Sequence, residues 1–269
     1  MSPDLPPPTS GYPLSQHEAD TGTLLVAERD GELCGFGGTV NHDDRWVLGD
    51  LFVSPSVHGE GVGRRLLDAL AAADRPAGPR ATMGSSDHRA LALYARLGMA
   101  PRWPCLYLMA PAGRLVLPTP AGATTEAVGS EHLVEAARPM GYVLHAADVE
   151  YWLTHAQAEC VLVGSHESVL GGGVIRWITP FSITDPTTIS LGPVFATSPD
   201  ALLTTVSSII ATIRHTAGSR LLTCFVPGPN AVLAPLLDAG FRISDLDLFC
   251  ASSDTLLDPQ TALPSHDLL

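Results

Sequence analysis

The 269-residue chain contains no lysine; all fifteen of its basic side chains are arginines. A Walker-type phosphate loop needs a lysine after its last glycine, and Schiff-base catalysts, lysine-held pyridoxal phosphate enzymes among them, need an ε-amine, so both classes are excluded. Long apolar runs are missing too, none approaching the ~18 residues of a membrane span. The N-terminal MSPDLPPPTSGYP has neither the basic head nor the apolar stretch of a secretory signal. Cysteine is scarce: five residues, at 34, 105, 160, 224 and 250, with no C-x-x-C pair. Such scatter fits free thiols in a reducing cytoplasm rather than a disulfide framework or a zinc site. His42, His58 and His88 form no metal triad, and no metal is assigned. A net charge of −13 repels nucleic acid and anionic membranes, which argues against both as partners and favours a cationic acceptor such as an amine.

What is present is organised around Leu48–Leu67, LGDLFVSPSVHGEGVGRRLL. An apolar run of strand length (Leu48, Leu51, Phe52, Val53) closes at Ser54-Pro55. Gly59, Gly61 and Gly63 follow at alternate positions, and then Leu66, Leu67 and Leu70 recur at helical spacing. A strand, a glycine turn and a helix start make an anion cradle, because the first N–H groups of a helix have no intrahelical partner and the helix dipole adds positive charge there. Arg64 and Arg65 stand beside the turn as charge partners. The dinucleotide fingerprint G-x-G-x-x-G fails, since Arg64 stands where its third glycine belongs.

Around this stretch the spacing predicts strands at 23–28 and 33–40 joined by an Asp30-Gly31 hairpin turn, a third strand over 45–53, a helix over 64–73, a strand over 81–85 and a closing strand over 103–109. Asp87 sits where the N-cap of the next helix belongs, and Gly98 suits a C-terminal cap of positive φ. Residues 1–22, with Pro6-Pro7-Pro8, read as poorly ordered, 113–125 as a linker, and 253–269 as a disordered tail.

His58-Gly59-Glu60-Gly61-Val62-Gly63 resembles the Q/R-x-x-G-x-G/A motif of the GNAT acyltransferase family, with His58 in place of Gln or Arg. About thirty residues on, Asp87–Met99 (DHRALALYARLGM) resembles that family's second signature, N-x-x-A-x-x-L-Y-x-x-x-G-F, with Ala90, Leu93, Tyr94 and Gly98 in register. The resemblance covers residues 23 to about 110. It implies an α+β (mixed α/β) fold of two GNAT-like domains, each a mixed, mostly antiparallel sheet flanked by helices. The first would span 23–112, without the strand and helices that usually precede the first hairpin. Acetyl-CoA is the implied co-substrate, its diphosphate held by His58, Gly59, Glu60, Gly61, Val62, Gly63 and Arg64. Leu51, Phe52 and Val53 would line its pantetheine arm, and Asp87 and Ala90 join the cofactor-binding set. Tyr94 stands at the position of the family's acid. Gly49–Val53 resembles the E-D-F-F-V stretch of diamine acetyltransferases, where the glutamate is the favoured base; Gly49 takes its place. Asp50 is left to bind the acceptor's ammonium or to bond neighbouring backbone.

The order of elements repeats over 126–252, and 230–242 (NAVLAPLLDAGFR) echoes 87–99, with Leu236 roughly at the place of Tyr94. No glycine cradle stands between the second central strand and its helix. The second half therefore reads as a degenerate repeat that does not turn over acetyl-CoA. Together these readings describe a cytoplasmic N-acyltransferase acting on a small-molecule amine, with room for a homodimer. The alternative is a non-catalytic acyl-CoA-binding or scaffold protein.

Overall fold

The computed structural model describes residues 13–118, 122–165, 168–179 and 185–268. The chain divides into two compact units, 1–78 and 79–269. The architecture is mixed α/β, with mostly antiparallel pairing and flanking helices.

In the first unit, β1 (Leu24–Arg29) and β2 (Glu32–Asn41) form the expected hairpin. Asp30 (φ 53°) and Gly31 (φ 83°) take the left-handed conformations that a two-residue hairpin turn requires. β3 (Trp46–Val53) runs antiparallel to β2. The register steps from Gly38↔Asp50 to Thr39↔Leu48, which leaves Gly49 unpaired as a bulge. Helix α2 (Val62–Asp74) covers one face of this sheet, burying Val62, Leu66, Leu67 and Leu70. A Cβ at Gly35 or Gly37 would meet Leu66 at 3.4 Å or Leu70 at 2.9 Å, so those glycines let the helix sit close. Asp74 at the end of α2 ties helix to sheet, accepting from Trp46 Nε1 at 2.7 Å and from the Thr23 and Thr39 hydroxyls.

The opposite face carries α1 (Pro13–Thr21), and here the reading of 1–22 as poorly ordered is corrected for the residues from 13 on; 1–12, with the proline run, lie outside the described residues. Leu14, His17 and Glu18 are buried, a stripe at i, i+3 and i+4. Two of its three members are polar, which is why no apolar periodicity betrays the helix. Pro13 suits the first helical position.

In the second unit the strand order is β4-β11-β5-β10-β9-β8-β7-β6, with β12 against β9. The strands are β4 (Arg80–Gly84), β5 (Ala100–Pro111), β6 (Ala123–Val128), β7 (Ala158–Ser165), β8 (Ser168–Arg176), β9 (Ile189–Ala196), β10 (Leu221–Pro227), β11 (Arg242–Ala251) and β12 (Ala262–Leu263). Its helices are α3 (His88–Arg96), α4 (Ser130–Ala137), α5 (Ala146–His155), α6 (Pro199–Ala217) and α7 (Leu233–Asp238). The core gathers on α6, whose Leu202, Val206, Ile209, Ile210 and Ile213 are fully buried; each such side chain contributes about 1.5–3 kcal/mol.

Three expectations are corrected in this unit. The closing strands are exchanged: β11 from the second repeat pairs with β4, β5 from the first pairs with β10, and β5 and β11 pair with each other. The stretch read as a linker contributes Leu115 and Leu117 to the core and begins β6, which pairs with β7. The tail is ordered through residue 268: Ala262 and Leu263 pair with Phe195 and Val194, and Asp267 forms a buried ion pair with Arg176 at 2.8 Å.

Candidate active site

The glycine turn lies wholly in the first unit. A 3-10 turn at Pro55–Val57 leads from β3 into it. Gly59 (φ 86°) and Gly61 (φ 79°) are left-handed, and Gly61 is the N-cap of α2. The backbone accounting is direct. The amides of His58 and Glu60 are engaged in the turn, donating to Pro55 O and Val57 O, and that of Arg65 makes the first helical bond, to Gly61 O. The amides of Gly59, Gly61, Val62, Gly63 and Arg64 have no backbone acceptor among the described residues. Arg64 is exposed and without an ion pair among those residues. Its neighbours are committed: Arg65 Nη1 donates to Glu60 O at 3.1 Å, and Glu60 pairs with Arg29 at 2.6 Å. The His58 ring bonds Val53 O at 2.9 Å, fixing the turn to the end of β3. A loop with unclaimed amides, an unclaimed guanidinium and a helix N-terminus fits a diphosphate.

On β3, Leu51 and Val53 face α2 and its small core. Asp50 and Phe52 point to the opposite face, where Phe52 stacks on Phe36 with centroids 5.1 Å apart. Phe52 is 58% exposed, so the ring pair offers an open apolar platform two residues from Asp50. Burial raises the Asp50 pKa to about 6, and its Oδ2 is buried with no hydrogen-bond partner.

Sequence reasoning missed Glu18. Its side chain is fully buried, and both carboxylate oxygens lack a hydrogen-bond partner. It points to the bulge of β3: a Cβ at Gly38 or at Gly49 would run into its carboxylate. Burial first, then the charge of Asp50, raises its pKa to about 8, against the opposing pull of the Asp50 amide. The signal was present as two glycines on adjacent strands, Gly38 opposite Asp50 and Gly49 beside it, where β-structure favours side chains with bulk.

Tyr94, Asp87 and Ala90 lie in the second unit. Asp87 is the N-cap of α3, accepting from Arg89 N at 2.8 Å, and the Arg89 guanidinium holds its carboxyl well below the usual range. Ala90 is half-buried on the same helix. The Tyr94 ring is buried against β4, where a Cβ at Gly84 would meet Cε2 at 2.5 Å. Its hydroxyl makes no hydrogen bond to any described residue, and burial, with smaller effects of Cys250, Asp247 and Asp87, raises its pKa to about 12. Gly98 (φ 81°) caps the helix as expected.

The second half repeats the helix cap of the first but has neither its tyrosine nor its glycine turn. Met99 N donates to Tyr94 O at 3.0 Å, and Phe241 N to Leu236 O at 3.1 Å, so Leu236 holds the position of Tyr94 in the same cap. In place of a glycine turn, Ser198 caps α6 with its hydroxyl. β9 and β10 run parallel only over Ile189–Leu191 and Leu222–Cys224. Beyond that, β12 takes over pairing with β9, and Ala196 N donates to Thr261 O at 2.9 Å. The C-terminal residues thus occupy the fork between the two strands, held there by Asn230 Nδ2, which donates to Pro259 O and Ala262 O.

Sheet, glycine turn and helix define an acetyltransferase fold of the GNAT type. Residues 20–98 match the family model for the acetyltransferase (GNAT) domain. Among solved structures, one from Pyrococcus horikoshii assigned as an acetyltransferase is similar with a TM-score of 0.66 at 14% identity, over 95% of this chain and 83% of that one. A tandem GNAT protein from the clavulanic acid biosynthesis pathway gives 0.53 at 15%, over 86% and 83%. A GCN5-related N-acetyltransferase from Kribbella flavida gives 0.56 at 14%, over 88% and 91%. At these identities the likeness is one of fold. No functionally curated protein matches the sequence. Among the described residues no cluster of ligating side chains could hold a metal, and no helix is long and apolar enough to cross a membrane. All five cysteines are free and buried.

Proposed function

We propose that the chain is an acetyl-CoA-dependent N-acyltransferase that acetylates a small-molecule amine, working through its first repeat. The observation that carries the reading is the set of unclaimed amides from Gly59 to Arg64 at the mouth of α2. Bound acetyl-CoA supplies an activated acyl thioester. The loop amides and the Arg64 guanidinium hold the diphosphate, and the backbone of Leu51, Phe52 and Val53 lines the pantetheine arm. Asp50 meets the acceptor's amine, and the exposed Phe52 beside it favours an acceptor with an apolar group next to that amine. The Tyr94 phenol, protonated at every working pH, donates to the leaving sulfur. Leu236 and the filled fork support a second repeat without turnover.

The test is thiol release from acetyl-CoA over a panel of amines, with cofactor affinity measured by calorimetry. Tight acetyl-CoA binding with no thiol release from any amine would turn the reading into the non-catalytic alternative; no binding at all would remove both.

A further inference from the structure

We propose that Glu18 and Asp50 form a carboxyl pair sharing one proton, in which half-buried Asp50 takes the proton of the attacking amine and enclosed Glu18 keeps the resident one. This rests on the acyltransferase reading, and every residue it uses belongs to the first unit.

The geometry carries it. A fully buried carboxyl group is normally hydrogen-bonded or ion-paired, because an unpaired buried charge is expensive. Among the described residues Glu18 has no ion pair and no side-chain hydrogen-bond partner; only the nearby Asp50 amide favours its charged form, and Asp50 Oδ2 likewise has no partner. The chain has cleared space for the pair: Gly38 and the bulged Gly49 supply no Cβ where the Glu18 carboxylate lies. The one hydroxyl on the adjoining part of β2, that of Thr39, is spent on Asp74. Of the ionisable groups on the elements packed together here, His17 and Asp20 on α1, Arg45 before β3 and Asp50 on β3, it is Asp50 whose charge raises Glu18. Two neighbouring carboxyls in such a place cannot both ionise cheaply, so their titrations separate. With Glu18 near 8 and Asp50 near 6, the pair carries one proton and one negative charge at neutral pH.

The step balances. The amine nitrogen attacks the acyl carbon, its N–H proton passes to Asp50, the C–S bond breaks, and the thiolate leaves with a proton from a separate acid. The pair goes from one proton to two and then returns the extra one to water. Asp50 is the catalytic residue; Glu18 is a positioning residue that acts through it. The Glu18 carboxylate fills the space that a side chain at position 49 would take, so a helix residue stands in for one the strand lacks.

Two measurements test this. Infrared spectra of the full chain at pH 7 should show a protonated carboxylic acid band that Glu18→Gln removes; no such band in the unaltered protein would overturn the shared proton. The second is the pH profile of kcat/KM from 5 to 9 with an arylamine acceptor, neutral throughout, so that its own ionisation adds nothing. The unaltered protein should gain activity through about 6 and again through about 8. Glu18→Gln, which mimics the protonated form, should stay within about threefold at pH 7 and lose only the upper rise. Asp50→Asn should lose about a hundredfold with acetyl-CoA affinity unchanged. If both variants follow the unaltered profile, the pair is structural and the transferase stands; if the unaltered protein binds acetyl-CoA but releases no thiol, the transferase reading itself has failed, while the infrared band still decides whether the proton is shared.

Discussion

Gly61 is a residue whose identity the backbone dictates. At φ 79° and ψ 15° it is the left-handed N-cap of α2, a conformation that costs a β-branched residue on the order of 1–3 kcal/mol. Gly61→Val should therefore rotate the turn and scatter the free amides, abolishing acetyl-CoA binding by calorimetry while the circular dichroism of the chain stays put; normal affinity would contradict the cradle. Tyr94 offers the complementary test. Its ring is a packing element against Gly84, but its hydroxyl has no partner among the described residues, so Tyr94→Phe removes a donor without orphaning an acceptor. Melting temperature should hold, cofactor affinity should hold, and thiol release should fall about a hundredfold; unchanged turnover would take Tyr94 out of the mechanism. Glu18 and Asp50 add a linkage effect. A carboxyl whose folded pKa lies above its unfolded one keeps its proton longer in the native state, so it favours folding at low pH and that advantage fades as pH rises from its ordinary value towards the folded one. For Glu18 that window runs from 4.5 to about 8. Glu18→Gln should therefore raise the melting temperature at pH 8 relative to the unaltered protein by more than it does at pH 5, as scanning calorimetry at the two pH values would show.

Among the elements, those carrying apolar periodicity were legible in the sequence and those that bury polar groups were not. β2, β3, α2 and α6 announce themselves through Val, Leu and Ile at the right period. Helix α1 does not, because its buried face is Leu14, His17 and Glu18, and one of the two polar residues in that stripe, Glu18, is the one paired with Asp50 above. The same failing hid the ordered tail. Leu263 is buried, but what anchors the segment is Asp267, which accepts from Arg176 at 2.8 Å and from Trp152 at 3.3 Å. Burial alone would raise the Asp267 pKa; Arg176, His266 and the Ser265 hydroxyl together hold it well below the usual range. Its stabilisation is complete above the ordinary carboxylate pKa and is lost as pH falls below it. Removing one partner strands the other charge, so Asp267→Ala should cost about 3–5 kcal/mol in urea unfolding at pH 7. It should release residues 262–268 to protease and leave acetyl-CoA affinity, which the proposed function assigns to the glycine turn, where it was. A null effect on stability would mean the fork does not need its occupant.

For the whole molecule, the sequence could name both closing strands but not their partners. β5 and β11 follow corresponding glycine-capped helices, and each alternates well enough to close either repeat, so local pattern is satisfied equally by the exchanged and the unexchanged pairing. What decides between them is long-range: exchange adds the β5–β11 pairing, from Arg242↔Met109 to Ala251↔Ala100, which two separately closed repeats would forgo. The strand-level repeat is therefore not a folding-level repeat. If residues 1–112 were an independent domain, a fragment ending there should fold. In the exchanged arrangement it lacks β10 and β11, so β4 loses its neighbour β11 and β5 loses both β10 and β11, leaving open edges that invite aggregation. Fragments 1–117 and 123–269 expressed separately should be insoluble or molten by near-ultraviolet circular dichroism. Co-expressed, they should assemble into a stoichiometric complex that binds acetyl-CoA. A soluble, cooperatively melting 1–117 fragment with cofactor affinity of its own would show that the first repeat closes without the second, and that the exchange follows folding rather than directing it.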